Sequence, residues 1–104
     1  SYCCGTDAFH SNRLALRYWC MAAREGQRDA MFEVGRVYEQ REERYTMIGS
    51  AIKKDWPKAR AMYSMAVKNG HDEAAGYKKL MEKKMTFDQL QMAEKYEKDW
   101  PNVA

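Results

Sequence analysis

Residues 22–30 read AAREGQRDA, and residues 66–74 read AVKNGHDEA. The two stretches align on Gly26 and Gly70, which lie 44 residues apart. A glycine in this position, directly after a run of helix-forming residues, is typical of the left-handed backbone that ends a helix. The pattern therefore predicts two equivalent helix ends, each followed by the start of another helix.

Other positions keep the same spacing. Aromatic Trp19 corresponds to aromatic Tyr63, and the sequence KDWP at 54–57 returns at 98–101 without a gap. A register held over most of the chain indicates an internal repeat of 44 residues.

Apolar residues at helical spacing predict five antiparallel helices stacked in pairs, which is an all-α solenoid of αα-hairpins. The first helix ends near Gly26, and its expected buried face consists of Leu14, Ala15, Tyr18, Trp19, Ala22 and Ala23. The second spans about residues 28–40 and is expected to bury Ala30, Met31, Val34, Gly35 and Tyr38. At this spacing we also expect the methionines to fill the core, namely Met21, Met31, Met62 and Met65.

The remaining three helices have clear start signals. Asp55 is a suitable N-cap for a helix to about Asn69, with Pro57 in its first turn and a buried face of Ala59, Met62, Tyr63 and Ala66. A fourth helix, about 72–83, is expected to bury Ala74, Tyr77 and Leu80, with Met81 as a further candidate. Thr86 and Gln89 predict a capping box, and Met85 and Leu90 a hydrophobic staple, for a fifth helix that runs to about Asp99.

The 104 residues are sufficient for one domain. We expect an N-terminal extension over 1–10, helical repeats over 13–83 and a C-terminal capping helix over 86–100. The charged stretch 41–54 has no clean period and is predicted to connect the two repeats.

The residues resemble the Sel-one-like repeat, a relative of the tetratricopeptide repeat. Residues 30–70 correspond to one complete repeat, in which Val34-Gly35 and Tyr38 match the first helix and Lys58-Ala59 and Gly70 the second. Lys78-Lys79 stands where the family has a Leu-Gly pair, and this departure suggests a terminal repeat that faces solvent. The resemblance implies a protein that grips a partner on the surface formed by the first helix of each pair.

Composition narrows the class of protein. The chain is 45% hydrophobic and 32% charged, and its net charge of +3 arises from 18 basic and 15 acidic residues that are interspersed. We therefore expect neither a nucleic-acid partner nor membrane insertion, since no clustered basic block and no run of about 20 apolar residues is present. Because the sequence opens at Ser1 without an initiator Met, we expect a processed piece of a longer precursor.

The three cysteines, Cys3, Cys4 and Cys20, allow a disulfide from Cys20 to either of the other two. Such a bond would close a loop of about 16 or 17 residues and stabilise the fold by roughly 3 kcal/mol. It would also imply an oxidising compartment, so a periplasmic or secreted location is favoured. The alternative is that Cys20 is a small apolar core residue.

No nucleophile motif, phosphate loop or metal-ligand spacing is present, so we expect no catalytic residue, no metal and no cofactor. His71, at the repeat turn, is expected either to act in local capping or simply to be exposed. The predicted function is a non-enzymatic protein-binding module or adaptor. Bacterial proteins that it resembles include exported envelope assembly factors and immunity proteins that neutralise a toxin. The alternative is a spacer or docking fragment of a larger repeat-containing regulator.

The predicted partner-binding surface lies on the second helix, outside the apolar stripe, with one residue added from the fourth. Its members are Phe32, Glu33, Arg36, Glu39, Gln40 and Tyr77. Phe32 is either an anchor for a partner or packs against the adjacent helix.

Overall fold

The computed structural model describes residues 8–40 and 54–100, and these residues form five helices without a strand. The helices are α1 (Ala8–Arg24), α2 (Arg28–Glu39), α3 (Trp56–Lys68), α4 (Asp72–Lys84) and α5 (Phe87–Asp99). The prediction of an all-α fold is confirmed for these residues, whereas the solenoid arrangement of helix pairs stays a prediction. Helix α1 begins inside the expected N-terminal extension, and the expected connection over 41–54 lies, except for Lys54, outside the described residues.

Helix α3 occupies the centre of the described structure. It packs against α2, α4 and α5, whereas α1 packs against α2. Helices α4 and α5 follow one another in the chain and both pack on α3. They contact each other less than either of them contacts α3. Helices α1, α3 and α5 also line a common cleft next to α2.

The two glycine turns have the same backbone geometry. Gly26 and Gly70 have positive φ angles of 91° and 99°. At the first turn the N–H of Gln27 donates to the Ala22 carbonyl oxygen at 3.2 Å and the N–H of Gly26 to Ala23 at 2.9 Å.

The corresponding bonds 44 residues later run from the N–H of His71 to the Ala66 oxygen at 2.9 Å and from Gly70 to Val67 at 3.0 Å. Both turns thus satisfy the last helical carbonyls in the pattern of a Schellman motif. The equivalence of the two helix ends is confirmed at the level of individual hydrogen bonds.

Side-chain caps fix the helix starts. Asp55 Oδ1 accepts from the backbone N–H of Lys58 at 3.1 Å, as predicted. Thr86 and Gln89 form the predicted reciprocal capping box. His71 Nδ1 accepts from the N–H of Ala74 at 3.2 Å, so this histidine has the local capping role that the sequence suggested.

The core lies mainly between α2 and α3. Fully buried side chains include Val34, Val37, Met62, Tyr63 and Met81. The hydroxyl of Tyr63 donates to Glu39 Oε1 at 2.6 Å, which gives the buried carboxylate a partner inside the core. The predicted buried faces of α2 and α3 are therefore correct, with Tyr38 only partly buried.

Three predicted core positions are wrong, because Tyr18, Met21 and Leu80 are exposed. In α1 the buried stripe runs through Leu16 and Ala23, and at 100° per residue Tyr18 lies on the opposite side of the helix. In α4, Met81 continues the stripe seven residues after Ala74, so that Leu80 points away from α3.

The chain leaves α2 and enters α3 at adjacent points. The backbone N–H of Asp55 donates to the carbonyl oxygen of Tyr38 at 2.9 Å. This bond holds α2 and α3 together as a hairpin, although 16 residues separate the end of α2 from the start of α3. Among the helices described, none is long and apolar enough to cross a membrane.

Candidate functional site

Half of the predicted partner-binding surface is buried inside the fold, since Phe32, Glu39 and Gln40 are all buried. Phe32 is 5% exposed, and its ring stacks on His71 with the centroids 4.3 Å apart and meets the Tyr77 ring edge-on at 4.9 Å. The outward position expected for Phe32 is therefore wrong. The alternative, that Phe32 packs against an adjacent helix, is correct, because its ring is covered by Tyr77 of α4 and by His71 at the start of α4.

Glu39 and Gln40 are also buried, so their expected outward positions are wrong. Glu39 accepts the hydroxyl of Tyr63, and its second oxygen lies 3.9 Å from Lys84 Nζ. Gln40 adopts the left-handed conformation that ends α2, and its N–H donates to the Arg36 carbonyl oxygen at 2.9 Å. Both residues hold the end of α2 in place.

Glu33, Arg36 and Tyr77 keep part of their surface exposed. Arg36 forms an ion pair with Glu33 at 3.5 Å, and its guanidinium lies 5.4 Å from the Phe32 ring and 5.9 Å from the Tyr77 ring. The role of these three residues as partner contacts stays a prediction.

The cysteine and metal predictions have separate outcomes. Cys20 forms no disulfide with another described residue, and Cys3 and Cys4 lie outside the described residues, so the disulfide stays a prediction. Within residues 8–40 and 54–100, no group of three or more His, Cys, Asp or Glu side chains could hold a metal ion.

A cleft of about 480 Å³ lies where α1, α3 and α5 border α2. Helix α1 forms one wall through successive turns, with Leu16, Arg17, Cys20, Met21 and Arg24. The remaining surface comes from Val34, Tyr38, Lys58, Tyr96 and Trp100. The lining thus combines three cations, three aromatic rings and several apolar side chains, and it contains no Asp or Glu.

Lys58 is the central charge of the cleft. Its Nζ donates to the hydroxyl of Tyr38 at 3.1 Å and lies 4.3 Å from the centre of the same ring and 5.4 Å from that of Tyr96. Burial acts to lower the pKa of Lys58, but the interactions with the oxygens of Tyr96 and Tyr38 outweigh it, and the net pKa is raised. The ammonium therefore stays charged at neutral pH inside a partly apolar cleft.

The Cys20 thiol lies within the field of this charge. Burial raises the pKa of the Cys20 thiol, while the positive charges of Lys58 and Arg24 act in the opposite direction. The protonated thiol is favoured, so Cys20 is a poor nucleophile at neutral pH. It contributes an apolar, polarizable surface to the cleft wall.

Exposed apolar side chains border the cleft on α1. Tyr18 and Met21 are 74% and 60% exposed and lie three residues apart, which makes them neighbours on the helix surface. The expectation that Met21 fills the core is wrong, whereas Met31, Met62 and Met65 are buried as predicted. Met21 also lines the cleft, so the apolar rim is continuous with its interior.

Sequence reasoning missed this cleft because its residues come from four separate helices. One signal was present: residues 8–24 contain three arginines and neither Asp nor Glu. Opposite charges three or four residues apart stabilise a helix, and within α1 the arginines have no acidic residue with which to form such pairs. This unbalanced positive charge is the sequence feature that corresponds to the basic wall of the cleft, to which Arg17 and Arg24 contribute.

Comparison of the chain with protein-family models, with curated proteins and with solved structures gives no significant match.

Proposed function

We propose that this chain is a non-enzymatic protein-binding module built from Sel-one-like helical repeats, and that it acts as an adaptor. The observation that carries the proposal is the cleft between α1 and α5, with exposed Met21 in its lining and exposed Tyr18 three residues away on the same helix. Concave sites that combine apolar walls with a few fixed polar groups are where proteins bind ligands and partners. Exposed aromatic and methionine side chains next to such a site supply the contact area that a protein interface needs.

The repeat part of the proposal is supported by the two Schellman turns, which are identical in their hydrogen bonds at a spacing of 44 residues. In solenoid proteins, stacked helix pairs create extended surfaces on which partners bind. The packing of α3 between α2, α4 and α5 is compatible with such stacking.

A site-specific crosslinking experiment tests this function. A photoreactive phenylalanine analogue replaces Tyr18, which neighbours the cleft-lining Met21 on the surface of α1, and in a control variant it replaces Lys95, which is exposed on α5. After irradiation in a lysate of the source cells, we expect one protein to be crosslinked reproducibly from position 18 and not from position 95. Absence of any product, or the same products from both positions, contradicts the proposal, and absence of any product favours a spacer in a larger regulator.

A further inference from the structure

The charges of the cleft are not balanced within the described chain. Arg17, Arg24 and Lys58 form no ion pair with any residue in 8–40 or 54–100, and no carboxylate lines the cleft. Three positive side chains that converge on an apolar cleft create a positive potential, which a low-dielectric surrounding strengthens. A negatively charged group is the complementary occupant.

A second cavity provides an internal comparison. It has a volume of about 560 Å³ and is lined by residues of α3, α4 and α5, including Arg60 and Lys68. There two of the four cations are paired within the chain, since Arg60 binds Glu82 at 2.8 Å and Lys68 forms an ion pair with Glu97. The carboxylates of Glu94 and Glu97 also line the cavity beside Lys78 and Lys98. The first cleft differs because none of its three cations forms an ion pair with a described residue and no carboxylate lines it.

Lys58 shows the imbalance most clearly. Its half-buried ammonium is held by the hydroxyl of Tyr38 and by two ring faces, none of which carries a formal negative charge. The hydroxyl of Tyr96, at the same cleft, is shielded from solvent and interacts with the Lys58 ammonium. Buried charges are normally balanced by an opposite charge, so a ligand can supply the anionic partner that Lys58 lacks among the described residues.

The apolar surface determines which kind of anion fits. Leu16, Val34 and Met21 line the cleft, and exposed Tyr18 lies next to Met21 on the surface of α1. A phosphodiester backbone has no aliphatic group to place on this surface. A peptide in which an acidic side chain is flanked by aliphatic residues matches both the charge and the apolar rim.

We propose that the cleft binds an acidic segment of a partner protein, with a single Asp or Glu carboxylate held between Lys58 and Arg24 and aliphatic neighbours packed on Met21 and Tyr18. This proposal rests on the proposed function, since it specifies the chemistry of the partner. Arg17, seven residues before Arg24 and therefore about 10 Å away along the same helix, extends the positive surface along the bound segment.

The test uses two fluorescein-labelled pentapeptides with blocked ends. One has a glutamate between two pairs of leucines, and the other has glutamine in that position. Fluorescence anisotropy with the full chain should show saturable binding of the glutamate peptide and at least tenfold weaker binding of the glutamine peptide. Lys58→Met, which keeps the aliphatic stem, should weaken glutamate-peptide binding at least tenfold and leave glutamine-peptide binding unchanged.

Two further variants control for net charge and folding. Lys68→Met makes the same change of charge in the second cavity and should leave glutamate-peptide affinity within twofold of wild type. Arg24→Gln changes an exposed side chain that the fold does not need and should weaken binding at least fivefold, even if Lys58→Met does not fold.

Three outcomes overturn the proposal. The first is equal affinity for the two peptides, and the second is an equal loss of glutamate-peptide affinity in Lys58→Met and Lys68→Met. The third is tighter binding of a single-stranded oligonucleotide, abolished by Lys58→Met, which would assign the cleft to nucleic acid. If position 18 still crosslinks one protein while the glutamate peptide does not bind, the cleft chemistry is wrong and the adaptor function stands. If the peptide binds as expected and no protein is crosslinked, the adaptor function fails separately.

Discussion

The ring of Tyr63 occupies the space that a Cβ atom at position 35 would need. A Cβ built on Gly35 would lie 2.6 Å and 2.7 Å from two carbons of that ring and 3.2 Å from the carbonyl oxygen of Ala59. Helices α2 and α3 are therefore so close here that only glycine fits at position 35 without a steric clash. The hydrogen bond from Tyr63 to Glu39 fixes the ring in this place.

Gly35→Ala should consequently destabilise the protein, although alanine is the better helix former. We expect a loss of about 1–3 kcal/mol in the free energy of unfolding, because an extra methyl group overpacks a filled core. Gly76→Ala is the matched control, since Gly76 is helical and a Cβ there meets no atom within 4 Å. It should gain about 0.5–1 kcal/mol. Urea denaturation measures both, and a gain in both variants would mean that α2 and α3 are further apart.

Phe32→Ala should cost about 3–5 kcal/mol, which is the usual effect of removing a buried aromatic side chain. The ring fills the space between α2 and α4, where it contacts His71 and Tyr77. Thermal and urea unfolding check the value. A change of less than about 1 kcal/mol would restore Phe32 as a surface anchor, the role that its position outside the apolar stripe of α2 had suggested.

The two glycine turns should respond to substitution in the same way. Gly26→Val and Gly70→Val should each lower stability by roughly 1–2 kcal/mol, because a β-branched residue is strained at positive φ. Asparagine tolerates this conformation, so Gly26→Asn and Gly70→Asn should cost less. Around Gly26 no atom lies within 4 Å of an added Cβ, so the loss there measures backbone strain alone. Calorimetric melting of the four variants tests the equivalence, which unequal rankings at the two positions would refute.

The reactivity of Cys20 reports the electrostatics of the cleft. Since Lys58 lowers the pKa of this thiol against the larger effect of burial, Lys58→Met should raise that pKa further. Only the thiolate reacts, so the alkylation rate at a fixed pH should fall and its pH profile should move to higher pH.

The measurement uses uncharged iodoacetamide on a background of Cys3→Ser and Cys4→Ser, which leaves Cys20 as the single thiol. Lys68→Met serves as the control of equal charge and should leave the profile unchanged. A profile that moves to lower pH in Lys58→Met would show that Lys58 and Cys20 are not coupled as described.

Much of the fold was predictable because its signals are local. The caps at Asp55 and Thr86 and the glycines at 26 and 70 each act within a few residues, and α2 to α5 begin and end within one or two residues of the predicted positions. Helix α1, in contrast, begins at Ala8, inside the expected N-terminal extension. Helical periodicity also identified the buried faces of α2 and α3, the two helices that are covered on several sides.

Predictions failed where the outcome depends on which helix lies opposite. Tyr18 was expected in the core, but α1 packs mainly on α2 and its other side stays uncovered by described residues. Phe32 was placed outside, because the sequence of α2 does not show that α4 covers its ring. The cleft required Arg24, Lys58 and Tyr96 to converge from three helices, a tertiary arrangement that no local pattern encodes.

The central claim is that a partner protein binds at the cleft between α1 and α5, and chemical-shift mapping tests it most directly. The uniformly ¹⁵N-labelled chain is titrated with the protein crosslinked from position 18. The account predicts that the largest amide shifts cluster in residues 16–24 and 96–100, and that Lys58→Met weakens the titration. Largest shifts around Glu33, Arg36 and Tyr77, with the cleft residues unchanged, would contradict it and return the binding site to the surface between α2 and α4.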